Sequence, residues 1–418
     1  MSADTTLIGP SLPSRLLVAA DRLTSSLRLF EKPLRGEELT RLAERRSGLG
    51  DFGDRSFEAP LDILLRDIEA SAGLSLFGRL ALRWDVQRFL GNLLLLRERE
   101  KRHPAILRES IERPIFITGM PRSGSTFLHN LIARDPGVQV PRCWQTMYPC
   151  PRPGRASRWP QREIAAARRQ LAGFNRLAPE LAAIHPMDAE SGQECTEILA
   201  HGFRSSRFET VFRLESYPRW LQSAGDLPAY AFHKRFLQHL QYGRNAGRWV
   251  LKCPDHVFSL AALRSVYPNA GIVFLHRDPL KVLPSVAKLT EVLRQPFTRH
   301  IDRRQIGRQV SESWTRGAAL MIEESATGSA APPVLHIGYR QLIEDPIATV
   351  RSLYAHFAMP LGDDALAAFK SHLAGRQNGG YRKIAYDPSA YGLDLAAEAR
   401  RFAPYCERFA VTAEAANP

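Results

Sequence analysis

The sequence predicts an α/β fold, a P-loop-type parallel β-sheet flanked by helices, with a helical N-terminal region and helical lid insertions. Three observations predict it. Short β-branched, apolar runs at residues 115–118, 249–251, 271–275 and 334–337 alternate with stretches of helical periodicity, the pattern of strands buried on both faces of a parallel sheet. The first run leads into Gly119-Met120-Pro121-Arg122-Ser123-Gly124-Ser125-Thr126. That is the strand, glycine-rich loop and helix start that surround an anion with backbone N–H groups. Each of the four runs is also followed closely by a polar or cationic residue: Arg122, Lys252, Arg277, and Tyr339 with Arg340.

Taken in order, residues 1–110 read as helical, with apolar spacings of three and four at Leu61, Leu64, Leu65 and Ile68 and again at Leu82, Val86, Phe89 and Leu93, and carry no visible chemistry. Residues 111–418 form the α/β domain. Two long insertions interrupt it. The first, 141–247, carries Trp144, Trp159, Phe203, Phe208, Phe212, Tyr217, Trp220, Tyr230 and Phe232 together with helical stretches at 161–172 and 230–242, and reads as a lid over an apolar acceptor pocket. The second, 287–331, shows no comparable aromatic cluster.

Composition limits the function classes. The chain has 418 residues, 44% of them hydrophobic, enough for a large core and outside the disordered range. No apolar run approaches the ~18 residues of a membrane helix, and the N-terminus lacks the order of a secretion signal, so a soluble cytoplasmic protein is expected. The five cysteines, Cys143, Cys150, Cys195, Cys253 and Cys406, include no C-x-x-C pair, which argues against a disulfide framework and a zinc site. The formal charge of +14 comes largely from arginines spread along the chain, the signature of no nucleic-acid partner. No metal-ligand spacing stands out in the α/β region.

The loop departs from a nucleoside-triphosphate loop at one position. Ser125 stands where that frame has its lysine, and the cation has moved inside the loop to Arg122, so the cradle suits a phosphate-bearing donor other than Mg-ATP. Ligands of open α/β sheets bind beyond the carboxyl ends of the strands. Arg122, Lys252, Arg277 and Tyr339 would therefore meet at one edge, around a dianion.

These segments resemble the P-loop sulfotransferases that use 3'-phosphoadenosine 5'-phosphosulfate (PAPS), specifically the bacterial branch similar to tyrosylprotein sulfotransferases. The resemblance is carried by Pro114-Ile115-Phe116-Ile117-Thr118-Gly119 with the loop, Trp249-Val250-Leu251-Lys252-Cys253-Pro254, Phe274-Leu275-His276-Arg277-Asp278-Pro279, Tyr339-Arg340-Gln341-Leu342-Ile343-Glu344-Asp345-Pro346, and Tyr391-Gly392-Leu393-Asp394 with Tyr405, Arg408 and Phe409. It implies PAPS as co-substrate, 3'-phosphoadenosine 5'-phosphate (PAP) as product, no metal, and a small acceptor that is lipid-like or aromatic. It also implies that Pro121, Arg122, Ser123, Gly124, Ser125 and Thr126 wrap the 5'-phosphosulfate, and that Arg277 and Ser285, eight residues apart, hold the 3'-phosphate. Tyr339 would contact the nucleotide, Arg382 and Lys383 would close over the 3'-phosphate, and Lys252 would bridge donor and acceptor oxygens. The N-terminal helices offer a face for a homodimer.

An acceptor hydroxyl must lose its proton to a base near the sulfur. The branch commonly has glutamate after a tryptophan that follows the loop helix; here Trp144 is followed by Gln145, which cannot take a proton. His256, four residues after Lys252, is the first replacement on strand-end spacing and Glu194 the second, with Glu190 and His185 behind them. The competing readings are a P-loop kinase or NTPase, and a nucleotide-binding protein without activity.

Overall fold

The computed structural model describes residues 32–151, 159–184, 186–244, 247–326, 334–375 and 386–414. Five strands, β1 (Ile115–Gly119), β2 (Val138–Gln139), β3 (Arg248–Lys252), β4 (Gly271–His276) and β5 (Val334–Gly338), form one sheet in the order β2-β3-β1-β4-β5. Every pairing is parallel. The register sets Ile117 beside Lys252, Gly119 beside Leu275, and His276 beside Gly338. All the strand-end residues thus emerge on one edge.

Alternation along the central strands builds two cores. Phe116, Leu251, Ile272 and Phe274 face one side, against Leu237, Leu263, Val282 and Met321. Ile115, Ile117, Val250, Val273 and Leu275 face the other, against Leu128, Leu131, Ile132, Val350 and Leu353. The expectation of strands buried on both faces holds for β1 and β4 and for all but Arg248 of β3. It fails for β5, an edge strand in which Ile337 alone is buried and His336 is exposed. The short β2 escaped notice because two residues carry no periodicity.

Helix starts follow local chemistry. Ser75 accepts from the N–H of Gly78 at the head of Leu76–Arg102, and Asp278 accepts from the N–H of Leu280, with Pro279 at the first helical position of Pro279–Arg294. Both are standard N-terminal caps, each worth about 1 kcal/mol.

The aromatic insertion packs most of its named rings against the N-terminal helices. Phe203, Phe208, Phe212 and Tyr217 are buried in a third core with Leu61, Leu64, Leu65, Phe89 and Leu90 of the N-terminal helices, because large rings near apolar helix faces are removed from water most effectively together. These four rings pack the N-terminal helices, while Tyr230 and other residues of the insertion line a cavity. Asp67, buried at 3% exposure, ties the two parts with its carboxylate, which accepts from the N–H groups of Glu215 at 3.0 Å, Ser216 at 2.8 Å and Tyr217 at 2.6 Å. Removing it strands three donors. Asp67→Ala is expected to lower unfolding free energy by about 3 kcal/mol, read from the midpoint of a urea titration.

Candidate active site

The loop between β1 and the helix Ser125–Ile132 is shaped by two glycines. Gly119 has φ 108°, and a Cβ there would stand 2.5 Å from the carbonyl oxygen of Leu275; Gly124 has φ 87°, and its Cβ would meet Leu342 at 2.9 Å. Glycine alone satisfies both constraints. Met120 N–H donates to the Leu275 carbonyl at 3.0 Å, and the hydroxyl of Ser123 donates to the carbonyl of Met120. Arg122 takes a left-handed φ of 60°. The N–H groups of Arg122, Ser123 and Gly124 donate to no group among the described residues, and the helix that follows turns its free N–H groups to the same place. Such a cluster of free N–H groups at a helix start suits an anion.

Lys252 ends β3 at 1% exposure. Its Nζ donates to Glu194 Oε1 at 2.6 Å and to Thr126 Oγ1 at 3.2 Å, so a cation in a buried strand is compensated by a carboxylate. Glu194 immediately precedes the helix Cys195–Leu199. His129, on the loop helix, accompanies them: burial first, then the charge of Lys252, holds its imidazole down at about 3, and it stays neutral.

Arg122 directs Nε to Ser285 Oγ at 3.1 Å and Nη1 to the carbonyl of Ile184 at 3.1 Å. Arg277 lies against the same loop, its Nη1 donating to the carbonyl of Arg122 at 2.6 Å, and its guanidinium carbon stands 3.9 Å from the centre of the Tyr339 ring. Its Nε and Nη2 donate to the two oxygens of Glu414 at 2.7 and 2.9 Å. The N–H of Glu414 in turn donates to Asp278 Oδ2 at 2.9 Å. Loop, Lys252, Arg277, Ser285 and Tyr339 therefore converge, as strand-end geometry predicts. Arg382, Lys383 and His185 lie outside the described residues.

The replacement bases separate clearly. Gln145 accepts from the N–H of Arg142 at 2.8 Å and closes the start of the helix Cys143–Met147, which is a structural use of that side chain. Glu190 is exposed and paired with Arg168. His256 is buried, its Nδ1 2.6 Å from the hydroxyl of Tyr230 and its ring edge-on to Phe116; burial drives its pKa well below the ordinary value. Glu194 is the candidate in contact with Lys252.

Beyond Lys252 lies a cavity of about 360 Å³, lined in part by Cys253, Asp255, His256, Tyr230, Leu199, Val286 and Trp314, within the size range of small-molecule sites. Sequence reasoning did not single out Asp255, Glu414 or the Ile184 carbonyl. Asp255, three residues beyond Lys252, could have been found by the strand-end argument; the other two carry no local signal.

A model described as the Sulfotransferase family matches residues 114–363. The omega-hydroxy-beta-dihydromenaquinone-9 sulfotransferase Stf3 of Mycobacterium bovis is 26% identical over 280 residues, and so is its counterpart in Mycobacterium tuberculosis. The match covers 62% of this chain and 66% of each relative, just under two thirds of their length. Among solved structures, the sulfotransferase STF9 from Mycobacterium avium superposes with a TM-score of 0.82 at 25% identity, covering 93% of this chain and all of that one. STF1 from Mycobacterium tuberculosis gives 0.76 at 30% identity, over 90% of this chain and all of its own.

Proposed function

Since the chain belongs to the sulfotransferase family and is a sulfotransferase enzyme, we propose that its donor is PAPS and that it sulfates a hydroxyl of a small, partly apolar alcohol or phenol. The contact of Lys252 with both Glu194 and the loop residue Thr126 carries this reading. It brings a cation, a base and the anion cradle together, one residue before Cys253, which lines the cavity.

Each residue then has a physical task. The free N–H groups of the loop and Arg122 hold the 5'-phosphosulfate. As the acceptor oxygen approaches sulfur in line, the S–O bond to the phosphate lengthens and negative charge gathers on the bridging oxygen. Lys252 stabilises that charge, a cation preorganised where the transition state needs it. Glu194 accepts the proton of the acceptor hydroxyl. The sulfuryl group carries less charge than a phosphoryl group, so positioning and cations supply the stabilisation. Arg277 and Ser285 hold the 3'-phosphate, with Tyr339 beneath the guanidinium. The test is transfer of labelled sulfate from PAPS to a panel of alcohols and phenols, beside calorimetry of PAP. Failure of PAP to bind would remove the proposal.

Arg277 offers a second check. In this reading the Glu414 carboxylate occupies the two guanidinium N–H groups that the 3'-phosphate would take, so donor binding has to displace it. Glu414→Gln is therefore expected to tighten PAP binding about three- to tenfold, since each tenfold step corresponds to about 1.4 kcal/mol. Calorimetry on wild type and variant reads the difference.

The Stf3 relatives act, by name, on a menaquinone-derived hydroxyl, which supports placing a lipid-like alcohol on the acceptor panel. No described helix is long and apolar enough to cross a membrane.

A further inference from the structure

The walls of the cavity beyond Lys252 narrow the acceptor's chemistry, an inference that rests on the reading that this cavity delivers the hydroxyl to Lys252 and Glu194. Three segments near the proposed reaction centre contribute to it, residues just after Lys252, the end of the helix that starts beyond Glu194 and the helix that carries Ser285, together with residues 204–230 and the helix Arg303–Ala326. Leu199, Val286, Phe258 and Trp314 give it an apolar side. The remainder is unusually acidic for a pocket that would take only a hydrocarbon.

Asp255, Asp226 and Glu209 all line the cavity, and the side chain that donates to each is neutral. The hydroxyl of Ser206 donates to Asp255, that of Ser259 to Asp226 at 2.7 Å, and Nε2 of Gln309 to Glu209 at 2.9 Å. Arg316, on the same wall, lies over Phe258 with 4.7 Å between guanidinium carbon and ring centre, and Arg204 lies over Trp220 at 5.0 Å. Neither forms an ion pair with the three carboxyls among the described residues. Burial pushes the Asp255 carboxyl up to about 6 and raises Asp226 and Glu209 as well. His256, which lines the same cavity, is 1% exposed and its Nε2 has no hydrogen-bond partner.

Carboxylates that line a cavity, partly exposed to it and donated to by neutral side chains, present acceptor oxygens to whatever enters. A hydrocarbon would displace the water around them and return no hydrogen bond. A ligand with its own O–H or N–H groups returns what burial removed.

We infer that the acceptor is rich in hydrogen-bond donors: besides the hydroxyl that is sulfated it carries further hydroxyl or ammonium groups, which Asp255, Asp226 and Glu209 receive, while its apolar part lies along Val286 and Trp314. These three carboxyls determine specificity and take no part in the transfer itself.

The experiment compares, at equal chain length, an alkyl glucoside, an alkyl amino alcohol, a plain alkanol and an alkylphenol, in wild type and in Asp255→Asn and Glu209→Gln. The donor-rich compounds should exceed the alkanol and the phenol in kcat/KM by about tenfold or more, the factor that about 1.4 kcal/mol supplies. Whether the glucoside or the amino alcohol leads distinguishes hydroxyl from ammonium donors. Asp255→Asn should raise the acceptor KM with kcat nearly unchanged, and PAP affinity, measured by calorimetry, should stay at the wild-type value, which also reports an intact fold. Transfer preferring the plain alkanol or phenol, or an acceptor KM unmoved in both variants, would overturn the inference and leave the donor site standing. Loss of PAP binding by the wild-type enzyme would instead overturn the reading beneath it.

Discussion

Lys252→Met should lower kcat by about 10³-fold while PAP binding changes little. Methionine keeps the volume of the side chain in a buried strand, so the variant removes the ammonium without opening a cavity. Withdrawing one preorganised group from a developing negative charge costs about 10²–10³ in rate. Here the loss belongs at the upper end, because Glu194 is simultaneously left without the cation 2.6 Å away. PAP lacks the sulfuryl group and the S–O bond that breaks, so its affinity reports the cradle rather than the lysine. Single-turnover transfer from labelled PAPS measures the first quantity and calorimetry the second. A variant that binds PAP poorly yet transfers at the wild-type rate would reverse the assignment of Lys252.

Glu194→Gln is the second large effect, expected at about 10²–10⁴-fold in kcat, the range for a positioned general base. Its distinguishing signature is dependence on the acceptor. A phenol with pKa of about 10 gives up its proton far more readily than an alkanol, so the loss should shrink as acceptor acidity rises. If Glu194 merely fixes the position of Lys252, the loss will be the same for every acceptor. The corresponding substitution at His256, which is held by Tyr230 and packed on Phe116, should act chiefly on stability.

The contrast between these two candidate bases shows what the sequence can and cannot convey. Strand ends were legible because apolar β-branched runs and the glycine frame are local signals, and the register then brings Lys252, Arg277 and Tyr339 to the loop without further information. The same spacing argument ranked His256 above Glu194. At Cys253-Pro254 the chain turns into the short 3₁₀ helix Pro254–Ser259, which sets His256 against Phe116 and Tyr230 and on the cavity wall, while Glu194 is the one that touches Lys252. Glu194 reaches Lys252 across 58 residues of sequence, a distance at which no spacing rule operates. Glu414 is 137 residues from Arg277 and was invisible for the same reason.

The aromatic insertion divides, since Tyr230 with Leu199, Arg204 and Asp226 lines the cavity. Its residues read as a lid because rings outside a strand pattern suggest a pocket, whereas Phe203, Phe208 and Tyr217 meet apolar positions of the N-terminal helices that the sequence displays as ordinary helix faces. Gln145 was legible as a departure from the expected base but not as a helix-closing side chain, since its partner is a backbone N–H.

The central claim is that separate strand ends grip a doubly phosphorylated adenosine without help from a metal ion. Calorimetric titration with PAP and with ATP, each in the presence of Mg²⁺ and of a chelator, tests it directly. Micromolar binding of PAP that the chelator leaves unchanged, with ATP binding much more weakly under either condition, is the predicted result. Tighter binding of Mg-ATP than of PAP, or PAP binding abolished by the chelator, would contradict the account.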